Sequence, residues 1–261
     1  MEAMIKQEDL RHFNPKLFAE NFFPHQQFMY KSERAYMHYI LGQERSKEDP
    51  SKFVANYPEE AKQRVFKWLD FLADNPFGEF VRDHVKDIWP VVEEQIEHFS
   101  TLNVQICGKN PYCGINTSRM FLHYHPPRID EKKSMTGTFI TPMVKQEETN
   151  EVFRYADLNN CNKPPKMLNE IIAGSTSFLD SAERIYKEWR SYEDIELERK
   201  DVRFPETGTL ALRFDGARYI HSLENLGDNV YVVLVFNDVV FAPEHDPISN
   251  DDFVAEYRST T

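Results

Sequence analysis

The residue pattern changes near Asn103, and this change limits the folds open to the chain more than any other feature of the sequence. Before Asn103, apolar residues recur at helical spacing, and after it short β-favouring segments alternate with polar turns. Such segments are typical of a sandwich or barrel rather than a parallel sheet. The pattern therefore predicts an α+β chain in a single domain, residues 1–261. A mainly helical region, residues 1–102, would pack on a β-barrel, residues 103–242.

Two apolar runs carry the helical part of this prediction. The first occupies residues 58–75, and the second extends from Phe77 to Phe99. Pro90 interrupts the second run and is expected to kink it, because proline removes a backbone donor from the helix. A third helix is predicted in the aromatic-rich segment Phe18–Leu41, followed by a polar loop over residues 42–51.

The second part of the chain is predicted to form two facing antiparallel sheets. A charged segment, about residues 168–198, is predicted to be a helical insert between them, and residues 243–261 look like a polar tail. The predicted strands are residues 103–107, 119–125, 138–144, 151–156, 202–204, 209–214, 217–221 and 231–241.

Composition excludes several classes of function. The chain has 31 basic and 43 acidic side chains, a net charge of −12, which argues against nucleic acid as a partner. No run of 18 apolar residues is present, so no membrane span is expected, and no signal peptide is visible. Three cysteines are too few for a disulfide scaffold. We expect a cytoplasmic protein, in an oligomeric state that composition leaves open.

His123 and His125 form the first candidate site. In an extended strand, residues i and i+2 point to the same face, so both imidazoles project together. Paired imidazoles of this kind can bind iron, copper or zinc. The alternative is that both rings donate hydrogen bonds to backbone carbonyls at the rim of a pocket.

His221 is a candidate third ligand, because it ends a predicted strand immediately before the loop of residues 222–229. The nearest carboxylates in sequence are Asp130, Asp215 and Glu224. Each could instead be a turn residue, and the Asp215-Gly216 pair favours a turn role for Asp215.

Three segments resemble the 2-oxoglutarate/Fe(II) dioxygenases, and most closely their isopenicillin N synthase-like branch. Gly208–Phe236 is similar to the closing strands of that family, Leu122–Pro127 to a strand with a Tyr-Pro-Pro motif, and Thr138–Glu147 to a Phe-Leu-Thr-Leu-Leu strand. The resemblance covers roughly residues 119–158 and 204–241. It implies a double-stranded β-helix, which is a jelly-roll or cupin-like barrel, with iron as the metal and His221 as a ligand.

The chain departs from the family pattern at two places. The resemblance implies a His-x-Asp pair near Ser134–Thr136, and neither ligand is found there. It also implies an arginine for the cosubstrate carboxylate nine or ten residues after His221, where Val230 and Tyr231 stand instead. We therefore expect 2-oxoglutarate turnover to be weak or absent.

Three interpretations follow from the resemblance. The first is a non-haem iron oxygenase acting on a small organic molecule, with a rebuilt site in which His123, His125 and His221 converge. The second is a catalytically degenerate relative that binds a small molecule or a protein partner. The third keeps a carboxylate ligand, supplied by Asp130 or Glu131.

Two further comparisons concern the same site. The segment from His123 to Gly137 resembles the first cupin motif, with Asp130 where glutamate is usual, and residues 221–225 resemble the end of the second. An acidic cosubstrate would need a basic partner, and each candidate could instead be an ordinary surface charge. The candidates are Lys145, Arg154 and Arg213.

Overall fold

The computed structural model describes most of the chain from residue 76 onward. The described residues are 36–39, 59, 62, 63, 65, 66, 70, 76–99, 101–108, 122–128, 133–144, 152–224, 230–247 and 252–259. The predicted loop over residues 42–51 lies outside them, as does most of the predicted helix Phe18–Leu41.

Strands dominate the described residues, and helices are few. The strands are β1 (Tyr36–Tyr39), β2 (Ile96–His98), β3 (Thr101–Gly108), β4 (Met135–Val144), β5 (Val152–Asp157), β6 (Lys200–Arg203), β7 (Thr209–Asp215), β8 (Tyr219–Glu224), β9 (Val230–Asn237), β10 (Val240–Phe241) and β11 (Val254–Arg258). The α-helices with described bounds are α1 (Pro76–Gln95), α2 (Leu168–Ile171) and α3 (Phe178–Arg190), and 3-10 turns occupy Leu158–Asn160 and Pro243–His245. The described residues of the first predicted helical run, 59, 62, 63, 65, 66 and 70, are also helical.

The strands form one large sheet and two smaller ones. The large sheet has the order β1-β3-β9-β4-β7-β11, the second sheet the order β6-β5-β8, and β10 pairs with β2. All of these pairings are antiparallel, in agreement with the sequence prediction. An isolated bridge between His123 and His221 places residues 122–128 beside β8, at the open edge of the second sheet.

The large and second sheets face each other across a shared apolar core. Alternate residues of β7 point into it, as expected for strands with one face toward a core. The second sheet contributes Phe153 from β5 and Leu223 from β8. The core consists of Ile140, Phe153, Phe204, Leu210, Leu212, Phe214, Tyr219, Leu223, Tyr231, Val233 and Val235.

Helix α1 covers the other face of the large sheet. Phe236 of β9 is the centre of this contact, because the rings of Trp89, Phe99 and Phe139 lie 6.1, 4.8 and 5.5 Å from its ring. Pro90 lies within α1, which continues to Gln95. The helical pattern was predicted to reach Phe99, but the chain turns to strand at Ile96 because residues 96–98 pair with β10.

The insert between β5 and β6 packs on the outer face of the second sheet. Tyr124, Ala156, Tyr192 and Ile220 are among the buried residues of this contact, with Trp189 packed against them. The predicted helix over residues 168–198 is broken. Gly174 adopts φ +71°, and the Ser177 side chain caps α3 by accepting from the Asp180 N–H. Residues 191–199 follow α3 without helix.

Two segments form strands where the sequence predicted another structure. Residues Tyr36–Tyr39 form a strand on β3 instead of a helix, and the predicted polar tail contains β11, paired with β7. Both lie at the ends of the large sheet, where backbone hydrogen bonds to a neighbour stabilise residues whose own pattern is only weakly β-like. The predicted boundary between a helical region that ends at residue 102 and a barrel that begins at residue 103 stays a prediction.

Candidate metal centre

Three histidines come together where residues 122–128 meet β8. His123, His125 and His221 each offer a ring nitrogen, and these nitrogens all lie within 4.8 Å of one another. The ring centroids are 4.3 Å apart for His123 and His221, 5.1 Å for His125 and His221, and 5.5 Å for His123 and His125. His123 is 8% exposed and His221 is 4% exposed, while His125 is partly exposed.

Backbone hydrogen bonds fix this convergence. His123 and His221 each donate an N–H to the carbonyl of the other, at 2.9 and 2.7 Å. Directly opposite residues of an antiparallel pair point to the same face, so the two imidazoles lie side by side. His125 follows at i+2 on that face, and its N–H donates to the Gly216 carbonyl at 2.7 Å.

Each of two imidazoles has a partner at Nδ1. His221 Nδ1 lies 2.8 Å from the Tyr219 carbonyl oxygen, and that oxygen can only accept. His221 therefore carries its proton on Nδ1 and has the lone pair of Nε2 free for a ligand. His125 Nδ1 lies 3.0 Å from the hydroxyl oxygen of Thr136.

Aromatic rings pack against two of the three imidazoles, His221 and His123. Phe153 stacks on His221 with centroids 5.4 Å apart and an interplanar angle of 19°, and Phe214 meets the same ring edge-on at 4.9 Å. Trp189 of α3 lies 5.4 Å from His123. Burial, together with the neighbouring His123, lowers the pKa of His125 to about 3 and holds the pKa of His221 well below its usual range. Both rings are therefore neutral near pH 7, which is the form that binds metals.

The donor set fits a transition metal. Neutral imidazoles suit iron, copper and zinc, and the buried Nδ1 contacts are those that orient metal-binding histidines. Tetrahedral bonds of about 2.0–2.1 Å place nitrogens about 3.3–3.4 Å apart. The ring nitrogens lie within 4.8 Å of one another, so the most widely separated pair must approach by up to about 1.4–1.5 Å to hold a metal in this geometry.

Of the remaining predicted site residues, the two that the structure describes, Arg154 and Arg213, are not brought to the histidines. Arg154 donates to Asp201 at 2.8 Å and to Glu224 at 3.2 Å. Arg213 donates to the His245 carbonyl at 2.7 Å and lies on the face of β7 opposite Phe214. Asp130 and Lys145 lie outside the described residues.

The other carboxylates and hydroxyls considered from sequence have defined roles. Asp215 accepts from the Ala217 N–H at 2.9 Å, as a turn residue does, and Glu224 pairs with Arg154. Thr136 stands where the resemblance implied an acidic ligand, and in the structure it contacts His125.

Sequence reasoning missed several residues of the site. Thr136, Phe153 and Trp189 touch the imidazoles, but each comes from a different element and none forms a motif with a histidine. Gly216 was identified only as part of a turn. Its special role is steric, because a Cβ there would lie 2.7 Å from both His125 Nδ1 and Thr136 Oγ1.

A pocket of about 310 Å³ is lined by residues of β5, β6 and β8 and by none of the three histidines. Phe253 forms part of its wall and stacks on Tyr155 with centroids 3.8 Å apart. The same ring contacts Phe214, which in turn contacts His221, so aromatic side chains lie between the pocket and the imidazoles. Its charged lining includes Asp157 and Arg218, which pair with each other at 2.7 Å.

No family model matches the chain, and no curated protein matches it. Among solved structures, it is similar to the non-heme alpha-ketoglutarate-dependent carbocyclase SnoK from nogalamycin biosynthesis. The identity is 10%, the match covers 92% of this chain and 87% of that chain, and the TM-score is 0.35. Within the described residues, no helix is long and apolar enough to cross a membrane.

Proposed function

We propose that this chain is a non-haem iron oxygenase that acts on a small organic molecule. The observation that carries the proposal is the convergence of His123, His125 and His221 between two sheets, with ring nitrogens within 4.8 Å. Imidazoles alone also suit zinc and copper. Iron is chosen because the closing strands resemble those of the 2-oxoglutarate/Fe(II) dioxygenases.

The order of the strands supports a double-stranded β-helix. From β3 the chain passes to residues 122–128 beside the second sheet, then to β4 in the large sheet and to β5 in the second. The strands β5 and β6 pair within the second sheet. The chain then passes to β7 in the large sheet, to β8 in the second sheet and to β9 in the large sheet. Repeated crossing between two facing antiparallel sheets is a feature of jelly-roll barrels, the architecture implied by the resemblance.

The side chains around the centre would hold, orient and shield the metal. A bound iron would supply one-electron and O2 chemistry. Tyr219 orients His221 through its carbonyl, and Phe153 and Phe214 limit the access of water to that ring. Neutral imidazoles leave the metal charge uncompensated, which favours an anionic group on the substrate or a carboxylate such as Asp130 as a further ligand.

We also propose the cytoplasm as the site of action and a small molecule as the partner. The net charge of −12 opposes binding to nucleic acid phosphates.

A second candidate function is that of a catalytically degenerate protein that binds a small molecule or a protein partner. Two observations favour it. Among the described residues the metal cluster contains no carboxylate, and both described candidates for a cosubstrate anchor, Arg154 and Arg213, are bonded to other groups.

The test is anaerobic loading of the purified chain with Fe(II), followed by elemental analysis and measurement of O2 uptake. We expect one iron per chain, lost in His221→Ala and kept in the matched variant His84→Ala, whose histidine lies on α1. O2 uptake that depends on iron and on His221 supports the oxygenase. Failure to bind Fe(II), or Fe(II) binding without any O2 uptake, would overturn the oxygenase and favour the binding protein.

A further inference from the structure

Thr136 is placed to act on the candidate metal centre without being a ligand. Its side chain is fully buried on β4, and its hydroxyl oxygen lies 3.0 Å from His125 Nδ1. The same hydroxyl lies 3.5 Å from Oδ1 of Asn237, its cross-strand neighbour on β9. The three groups therefore form a chain from His125 through Thr136 to Asn237.

The chemistry of these groups fixes the direction of the chain. The amide oxygen of Asn237 can only accept a hydrogen bond, so the Thr136 hydroxyl donates its proton to it. The hydroxyl oxygen then accepts from His125, which places the imidazole proton on Nδ1. With Nδ1 protonated, the lone pair of His125 is on Nε2, as it is on His221.

We propose that Thr136 is a positioning residue that fixes the Nδ1–H tautomer and the ring orientation of His125, so that Nε2 faces the metal. This inference rests on the proposed metal centre and adds to it a residue outside the ligand set. Thr136 thus has a defined purpose at the place where the dioxygenase resemblance implied a ligand.

The packing around Gly216 supports the same assignment. The Gly216 N–H donates to the Ser134 carbonyl at 2.6 Å, and its carbonyl accepts from the His125 N–H at 2.7 Å. This turn therefore ties the start of β4 to the backbone of His125. The two side chains meet in the space where a Cβ at Gly216 would stand. Contact between Thr136 and His125 is thus set by backbone as well as by side chains.

The variants that test this are Thr136→Val, which keeps the shape and removes the hydroxyl, and Thr136→Ser, which keeps the hydroxyl. Thr138→Val is the matched control, because Thr138 is 2% exposed and lies two residues further along the same face of β4. Fe(II) affinity is measured anaerobically against a competing chelator. We expect Thr136→Val to weaken binding by about 10- to 100-fold, and the other two variants to stay within about threefold of the native chain.

A second readout separates positioning from general stability. Nitrogen-15 NMR of the metal-free chain reports which ring nitrogen of His125 carries the proton. We expect Nδ1–H in the native chain and in Thr136→Ser, and a shift toward Nε2–H in Thr136→Val. Urea unfolding of each metal-free variant shows whether a lost affinity merely follows lost stability.

Two results would overturn the inference: native affinity in Thr136→Val, or a His125 proton on Nε2 in the native chain. Equal weakening in Thr138→Val would also overturn it, since the effect would then come from any loss of a buried hydroxyl. If the native chain bound no Fe(II), the proposed function would fail by that measurement alone. The nitrogen spectra would still decide whether Thr136 sets the tautomer of His125.

Discussion

His123 and His221 exchange both of their backbone hydrogen bonds, at 2.9 and 2.7 Å, and their rings lie 4.3 Å apart. A single bridge thus joins residues 122–128, which form no regular strand, to β8. His123 and His221 are 98 positions apart in the sequence. Because opposite residues share a face, the bridge commits both side chains to one location. The candidate centre is therefore a consequence of strand pairing.

Acidification should destabilise the metal-free chain. His125 and His221 have pKa values below the ordinary value of 6.5 in the folded state, so below pH 6.5 the unfolded chain binds more protons than the folded one. Their contribution is present above pH 6.5 and is lost as the pH falls toward the folded pKa, at about 1.4 kcal/mol per pH unit for each ring. Between pH 7 and 5.5 we expect the free energy of unfolding to fall by about 2–3 kcal/mol from the two rings.

Urea unfolding at the two pH values measures this effect. His221→Gln should remove about half of the pH dependence that the two rings contribute. An identical pH dependence in the native chain and in His221→Gln would show that these rings are not buried as neutral groups.

Gly216→Ala should damage the metal centre. The new methyl group would lie 2.7 Å from His125 Nδ1 and Thr136 Oγ1 and 3.0 Å from the Ser134 carbonyl oxygen, so His125 has to move. We expect a loss of about 1–3 kcal/mol of stability from overpacking and a loss of Fe(II) affinity of tenfold or more.

Gly174→Ala is the control for this change. Gly174 has open space around it and φ +71°, so alanine there should cost about 1–2 kcal/mol from backbone strain alone. Chelator competition should show native Fe(II) affinity in this variant. Native affinity in Gly216→Ala would contradict the described contact between Gly216 and His125.

Phe253→Ala should destabilise the sandwich, although Phe253 belongs to the predicted polar tail. Its ring stacks on Tyr155 at 3.8 Å and on Phe214 at 5.0 Å, between the two sheets. We expect a loss of about 2–4 kcal/mol, somewhat below the value for a fully buried phenylalanine. Tyr257→Ala on β11 should cost about 1 kcal/mol or less, because Tyr257 is 56% exposed. Thermal or urea unfolding measures both losses. Equal losses of stability in Phe253→Ala and Tyr257→Ala would show that Phe253 is not part of the packed core.

Turnover of 2-oxoglutarate should be weak or absent. Arg154 is paired with Asp201 and Glu224, and Arg213 with the His245 carbonyl and Glu256, so neither guanidinium is directed at the imidazoles. Succinate release by the iron-loaded chain under O2 measures this, with Arg154→Met and Arg213→Met expected to change nothing. Robust release that is lost in Lys145→Met would overturn the expectation and identify Lys145 as the cosubstrate anchor.

Much of the fold is visible in the residue pattern. The two-residue alternation of β7 and the helical spacing of α1 are local properties, so they predict these elements without knowledge of their neighbours. The same alternation places His123 and His125 on one face. β1 and β11 were not visible, because each is an edge strand held by hydrogen bonds to one neighbour. The half-buried face of β11 is formed by Val254, Glu256 and Arg258, so it does not read as apolar in the sequence.

The sequence by itself determined the change from helix to short strands, the antiparallel character of the sheets and the histidines worth considering. These follow from spacing and side-chain type, which act over a few residues. Only the tertiary structure decided that Thr136 supports His125, that Phe153 and Trp189 enclose the rings, and that Arg154 and Arg213 face elsewhere. Those contacts join elements far apart in the chain, and they depend on strand register, where a shift of one residue turns each side chain to the opposite face.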